Sequence, residues 1–164
     1  MNNFIYEKLA VTNLKNNRKT YVPYIFTGVL TVMMFYIIDA LSRGKGITQD
    51  TLKICLQYAT GVIVVFAVIF LFYTNSFLIK RRKKEIGVYN ILGMGKRHIA
   101  RMMAVETILT AGISILGGLV FGIIFGKLMY LLLLKILRNS VDMQFSVNGT
   151  AIVQTVILFA GIFL

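Results

Sequence analysis

The sequence predicts an all-α integral membrane protein. Four hydrophobic helical segments are expected, the fourth cut short, with an N-terminal interfacial helix before them and a short cytoplasmic helix between the second and third. Of the 164 residues, 57% are hydrophobic and only 15% are charged, whereas a soluble domain has about a quarter charged residues. So much apolar surface argues against a soluble enzyme, because a core this small could not hide it. It also argues against a nucleic-acid-binding protein, despite a net charge of +12.

Long uncharged runs place the membrane spans. Residues 54–79 contain no charge at all and give the strongest signal. Residues 1–20 are basic and weakly amphipathic, which suits either a helix lying on the membrane surface or a solvated basic arm. The predicted order is an interfacial helix (1–20), a first span (21–40), an extracellular loop (41–53), a second span (54–79), a cytoplasmic coupling segment (80–107), a third span (108–134), an extracellular loop (135–150) and a truncated fourth span (151–164).

The last apolar run is too short to cross a bilayer. Its fourteen residues rise about 21 Å as a helix, whereas the hydrocarbon core is about 30 Å thick. We therefore expect the chain to be a fragment of a longer protein, or a gene product that lacks its continuation.

The distribution of Lys and Arg predicts the orientation. Residues 1–20 hold 4 of these cations and residues 80–107 hold 8, whereas 39–53 hold 3 and 135–150 hold 2. Cytoplasmic loops are enriched in Lys and Arg. The N-terminus and residues 80–107 are therefore expected on the cytoplasmic side of a bacterial plasma membrane, with the spans alternating in direction.

Two features of the third span stand out. Gly118, Gly122 and Gly126 lie four residues apart, which predicts a flat strip for close helix packing. Lys127 interrupts the apolar run. Its ammonium group could extend outward to the lipid headgroups, or it could face a substrate.

Catalytic and nucleotide-binding motifs are not found in the sequence. No acidic residue sits in the middle of a span, and His98 has no partner at metal-ligand spacing. A phosphate-binding loop ending at Lys96 would need glycine at position 90 and Ser or Thr at position 97, but these are Asn90 and Arg97. The chain is therefore expected to be no enzyme and to need no cofactor or metal, so that a separate subunit would hydrolyse any ATP.

Residues 80–107 combine cations with glycine-defined breaks. Two helical turns are expected from Glu85 to Leu92, ended by Gly93 to Gly95. The cations that open the next helix, including Arg97 and Arg101, are not favoured there by the helix dipole. Contact with lipid phosphate or with a partner protein explains them better.

Three stretches carry a resemblance to a known family. They are NLKNNRK (13–19), FYTNSFLIKRRKKEIG (72–87) with GMGKRHI (93–99) and Glu106 beyond it, and VQTVILF (153–159). In this respect the chain resembles the N-terminal portion of the FtsX-like (MacB-type) ABC transporter permeases. Within that family it is similar to the bacitracin and antimicrobial-peptide resistance permeases of Gram-positive bacteria.

The resemblance implies partners and a site. It implies a cytoplasmic ABC ATPase subunit, a two-component sensor kinase as a further partner, and ATP-driven work on antimicrobial peptides at the cell envelope. A lipoprotein- or lipid-handling permease, or a small membrane-anchored regulatory protein without transport activity, remains the alternative. The residues that match the family's ATPase-coupling motif and its cationic flank are Lys83, Lys84, Glu85, Ile86, Gly87, Gly93, Met94 and Gly95.

Overall fold

The computed structural model describes residues 12, 17–44, 50–91, 95–136 and 149–163, and these are almost all helical. Four helices run through the described ranges: α1 (Arg18–Ser42), α2 (Asp50–Ile91), α3 (Lys96–Ile136) and α4 (Gly149–Phe163).

Three of these helices are long and apolar enough to cross a membrane, and α4 is a shorter apolar helix. The predicted all-α class is thereby confirmed, and three such helices are consistent with a membrane protein. At 42 and 41 residues, α2 and α3 are each about 60 Å long, twice the thickness of the hydrocarbon core. Both therefore extend well beyond their apolar parts.

The expected short helix between the second and third spans is not a separate element, and this corrects the prediction. Helix α2 continues without interruption through the cationic run to Ile91. Lys, Arg and Glu are good helix formers, and a single Gly87 costs only about 1 kcal/mol, which is too little to end a long helix. The expected interfacial helix lies largely outside the described residues, because only residue 12 and residues from 17 onward are described in that region.

Helix α1 begins earlier than its apolar run. The carbonyl of Asn17 accepts hydrogen bonds from the N–H groups of Thr20 and Tyr21 at 2.9 and 3.2 Å. Pro23 lies in the second turn of α1, and its missing N–H removes one backbone donor from the helix. At the other end, the N–H of Gly44 donates to the carbonyl of Leu41 at 3.0 Å and closes the helix.

Helix α1 lies at the centre of the bundle. It packs most extensively on α3 and less on α2, whereas α2 barely touches α3. Near the start of α1, Tyr21 is hydrogen-bonded to Glu106 of α3, and further along α1, Tyr36 lies against Gly122 of α3. Helices α1 and α3 therefore run parallel. Arg43 reaches Gln154 in the first half of α4, and Phe35, earlier in α1, packs on Phe159, later in α4, so α4 runs antiparallel to α1. The direction alternates along the chain, as the sequence predicts.

The apolar core joins α1 and α4 to the middle of α2. Phe35 and Phe159 pack edge to face with their ring centroids 5.6 Å apart, and Ala67 and Leu71 of α2 join the same cluster. Only 11% of the apolar part of α2 is buried, against 39% for α1 and 33% for α3. Most of α2 therefore faces outward.

Candidate functional site

One row of α3 side chains, spaced four residues apart, is buried over its whole length. The row changes character from polar to small: a carboxylate and two hydroxyls are followed by three glycines. Its members are Glu106, Thr110, Ser114, Gly118, Gly122 and Gly126. The i, i+4 rows of a helix form its surface ridges and grooves, so this row is the seam along which α1 packs.

The glycines of the row are in close contact with α1. A Cβ on Gly118 would lie 2.5 Å from the Cβ of Val32, and a Cβ on Gly122 would lie 2.9 Å from the ring of Tyr36. Real side chains do not approach so closely, so only glycine fits at these two positions. Gly126 is different, because its nearest neighbours would be 3.9 Å away.

Helix α1 contributes a glycine of its own to the same seam. A Cβ on Gly28 would lie 2.7 Å from Ser114 Oγ. The hydroxyls of Ser114 and Tyr36 are buried and have no hydrogen-bond partner within the described part of the chain. The close approach therefore depends on small groups from both helices.

The seam begins at a buried hydrogen bond. Tyr21 OH donates to Glu106 Oε2 at 3.1 Å, and both side chains are 2% or less exposed. A small cavity beside this bond is also lined by Asn75 and Leu78 of α2 and Met103 of α3. Three helices therefore meet at this level, which fixes their relative heights.

A second polar link lies at the opposite end of α1. Arg43 Nε is 3.1 Å from both carboxylate oxygens of Asp39, which is buried. The same guanidinium donates through Nη2 to Gln154 Oε1 of α4. Arg43 thus neutralises a buried carboxylate and ties α1 to α4.

The residues predicted to contact an ATPase are in part described. Lys83 and Gly87 are exposed on α2, and Lys84, Glu85 and Ile86 lie on the same helix. Gly95 directly precedes α3, and its carbonyl accepts the N–H of His98 at 2.9 Å. Gly93 and Met94 fall outside the described residues. The predicted segment is thus the last part of α2 and the connection to α3.

Lys127 lies on the outer surface of α3, where its side chain is exposed. Within the described ranges, no group of three or more His, Cys, Asp or Glu side chains could hold a metal ion.

Sequence reasoning missed several contacts. Tyr21, Gly28 and the link from Arg43 to Gln154 were not singled out. Glu106 was noted only for its place in a motif. Each contact joins residues far apart in the chain, 85 positions for Tyr21 with Glu106 and 111 for Arg43 with Gln154. A single tyrosine or glycine carries no periodic signal that would reveal such a pair.

Helices α1 and α3 run parallel along a glycine seam, within a bundle of long apolar helices that has cations at one end. These are the features of a multi-span membrane protein.

The family described as FtsX-like permease C-terminal matches residues 59–164. The chain is 32% identical over 161 residues to the bacitracin export permease protein BceB of Bacillus subtilis, covering 96% of this chain and 25% of that protein. It is also 32% identical over 161 residues to the BceB protein of Halalkalibacterium halodurans and 29% identical to the uncharacterized ABC transporter permease YvcS of Bacillus subtilis.

The chain belongs to the FtsX-like permease family, so the resemblance seen in the sequence is confirmed. It spans about a quarter of the length of these curated relatives. Family membership and the apolar helices together support a membrane location.

Proposed function

We propose that this chain forms part of the membrane subunit of an ABC transporter and receives the movement of a separate ATPase. The end of α2 and the beginning of α3 would be the surface that the ATPase contacts, on the cytoplasmic side of a bacterial plasma membrane. In this proposal the separate ATPase hydrolyses ATP and this chain does not.

The observation that carries the proposal is the projection of α2 and α3 beyond their apolar parts. Twelve residues of α2, from Lys80 to Ile91, follow the last residue of its apolar run. They rise about 18 Å, which takes them outside the hydrocarbon. Two helical extensions with a short stretch of chain between them make a protrusion that a soluble partner could bind.

The seam between α1 and α3 would transmit movement of this protrusion to the membrane-spanning part of the bundle. Helix α3 runs unbroken from Lys96 to Ile136, so a push at its first turn moves its whole length. Because Gly118 and Gly122 leave no space between α3 and α1, α1 would move with it. The Arg43 link to Gln154 would then pass the movement to α4.

The substrate side of the proposal rests on the relatives. Two of them are named bacitracin export permeases, and we propose work on peptides of this kind, with a two-component sensor kinase as a further partner.

Charge reversal at Lys83, Lys84 and Glu85 tests the proposed ATPase surface. The triple variant K83E/K84E/E85K should lower co-purification of the proposed ABC ATPase partner by about tenfold or more, because each reversed charge turns an attraction into a repulsion. Membrane insertion should be unchanged, since the altered residues lie beyond the apolar run.

The matched control reverses cations at the opposite end of the bundle, as K53E/K135E. It should leave ATPase co-purification within about twofold of the unmodified chain, because those charges are too far from the proposed surface to be felt across a Debye length of about 8 Å. Equal co-purification by the triple variant and the unmodified chain would show that the ATPase binds elsewhere.

A further inference from the structure

Exposed cations crowd one end of the bundle. Helix α1 begins at this end, α2 leaves its apolar run there, and α3 begins there. Seven Lys and Arg side chains from these three helices are exposed, and we refer to their location as the basic end: Arg18, Lys19, Lys80, Arg81, Lys83, Arg97 and Arg101.

The cavity beside Tyr21 and Glu106 shows the height of these cations along the axis of the bundle. That cavity is lined by Tyr21 of α1, Ile79 of α2 and Met103 of α3, so these three residues share one height. Five of the cations lie only one to three residues further out, within about 5 Å along the helix axes. They form a collar around the point where the apolar spans end: Arg18, Lys19, Lys80, Arg81 and Arg101.

The opposite end of the bundle is balanced in charge by comparison. Among its described residues, Arg43, Lys53 and Lys135 are accompanied by Asp39 and Asp50. Arg43 forms an ion pair with Asp39. At the basic end, the acid whose side chain is described is Glu106, which is buried in the bundle. The collar therefore presents positive charge outward.

The side-chain conformation of Arg81 indicates where its counter-ions lie. Its guanidinium stacks over the ring of Phe77 at 5.0 Å from the centroid. Phe77 is four residues back, within the apolar run, so the charge is folded toward the membrane rather than extended into water. At that depth, phospholipid phosphate is the anion that surrounds the protein.

We propose that the collar of Arg18, Lys19, Lys80, Arg81 and Arg101 binds the headgroups of anionic phospholipids. Juxtamembrane cations gain roughly a fivefold preference each from a negatively charged leaflet. Cations on three helices around one bundle end place these headgroups against α1, α2 and α3 together. A shell of anionic lipid therefore surrounds the base of the protrusion formed by α2 and α3.

Spin-labelled lipids measure this preference directly. The full chain is reconstituted in phosphatidylcholine vesicles with trace spin-labelled phosphatidylglycerol or phosphatidylcholine, and the motionally restricted fraction gives the two relative association constants. The unmodified chain should prefer phosphatidylglycerol by roughly fivefold or more, with the preference falling as NaCl is raised. The collar variant R18Q/K19Q/K80Q/R81Q/R101Q should lose it, and K53Q/K135Q, at the opposite end, should keep it.

Two further arms separate the sources of the effect. Inorganic phosphate at matched ionic strength should not displace the labelled phosphatidylglycerol, and displacement would assign the collar to free phosphate and overturn the lipid proposal. The smaller variant K80Q/R81Q should lose part of the preference for phosphatidylglycerol. It keeps the test valid if the collar variant with its five substitutions fails to fold.

An unmodified chain without preference for phosphatidylglycerol would contradict the proposal. A collar variant that keeps this preference but loses ATPase co-purification would also contradict it, and would assign the collar to the protein partner. The collar shares no residue with the K83E/K84E/E85K variant, so failure of the lipid proposal and failure of the ATPase proposal are distinguishable.

Discussion

The seam between α1 and α3 and the outer surface of α2 are built in opposite ways. Along the seam, glycines and hydroxyl-bearing residues let two backbones approach until no Cβ fits at Gly118. On α2, by contrast, large apolar side chains such as Phe66, Ile69 and Phe72 are more than 60% exposed. Both regions are apolar overall, so hydrophobicity does not distinguish them.

The difference follows from the solvent. Lipid tails are as apolar as leucine, so burying a large side chain in a membrane gains little, and helices associate through close packing instead. Helix α3 offers a row of small residues and packs tightly, whereas α2 offers bulky side chains and stays in contact with its surroundings. A membrane helix with a bulky, exposed surface can move against its neighbours more easily than one locked by backbone contact.

The largest effect is expected from adding one methyl group to the seam. Gly118→Ala should destabilise the bundle by about 1–3 kcal/mol, because its Cβ would overlap Val32 and the backbone must shift to admit it. Gly61→Ala on α2, where a Cβ would meet nothing within 4 Å, should instead stabilise by up to about 1 kcal/mol through helix propensity. Unfolding with SDS in mixed micelles measures both, and equal shifts in the two variants would remove the distinction between the regions.

A smaller effect is expected from removing one hydroxyl at the end of the seam. Tyr21→Phe takes away the hydrogen bond to Glu106 and should cost about 1–2 kcal/mol in the same unfolding assay. Tyr58→Phe on α2 is the control, because Tyr58 is 75% exposed, and should change stability by less than about 0.5 kcal/mol. A loss at Tyr58 as large as that at Tyr21 would mean that α2 is held as firmly as α1.

Much of the fold could be predicted from the sequence because membrane spans are long and uniform. The uncharged run 54–79 and the apolar run 108–134 both lie within observed helices. The spacing of Gly118 and Gly122 drew attention to the surface of α3 that packs against α1. These features depend on local composition and periodicity, which a sequence displays directly.

The remaining features depend on distant pairing or on a balance of small energies. Helix α2 continues past Lys80 to Ile91 because good helix formers outweigh one glycine, so the short helix expected after the second span is the end of α2. Gly28 becomes significant only because Ser114 lies opposite it, and Arg43 only because Gln154 of α4 lies within hydrogen-bonding reach. The sequence contains each residue but not its partner.

The α1–α3 seam is tested most directly by exchanging a glycine across it. In Gly28→Ala, the new Cβ would lie 2.7 Å from Ser114 Oγ and 2.9 Å from its Cβ, and we expect a loss of about 1–3 kcal/mol. In the double variant Gly28→Ala/Ser114→Gly the obstructing side chain is gone, and the next neighbour, Phe163, is 3.5 Å away. Stability should then return close to that of the unmodified chain, with a coupling of about 1 kcal/mol or more between the two sites. If the two single effects simply add to within about 0.5 kcal/mol, the helices do not meet at this seam and the account is contradicted.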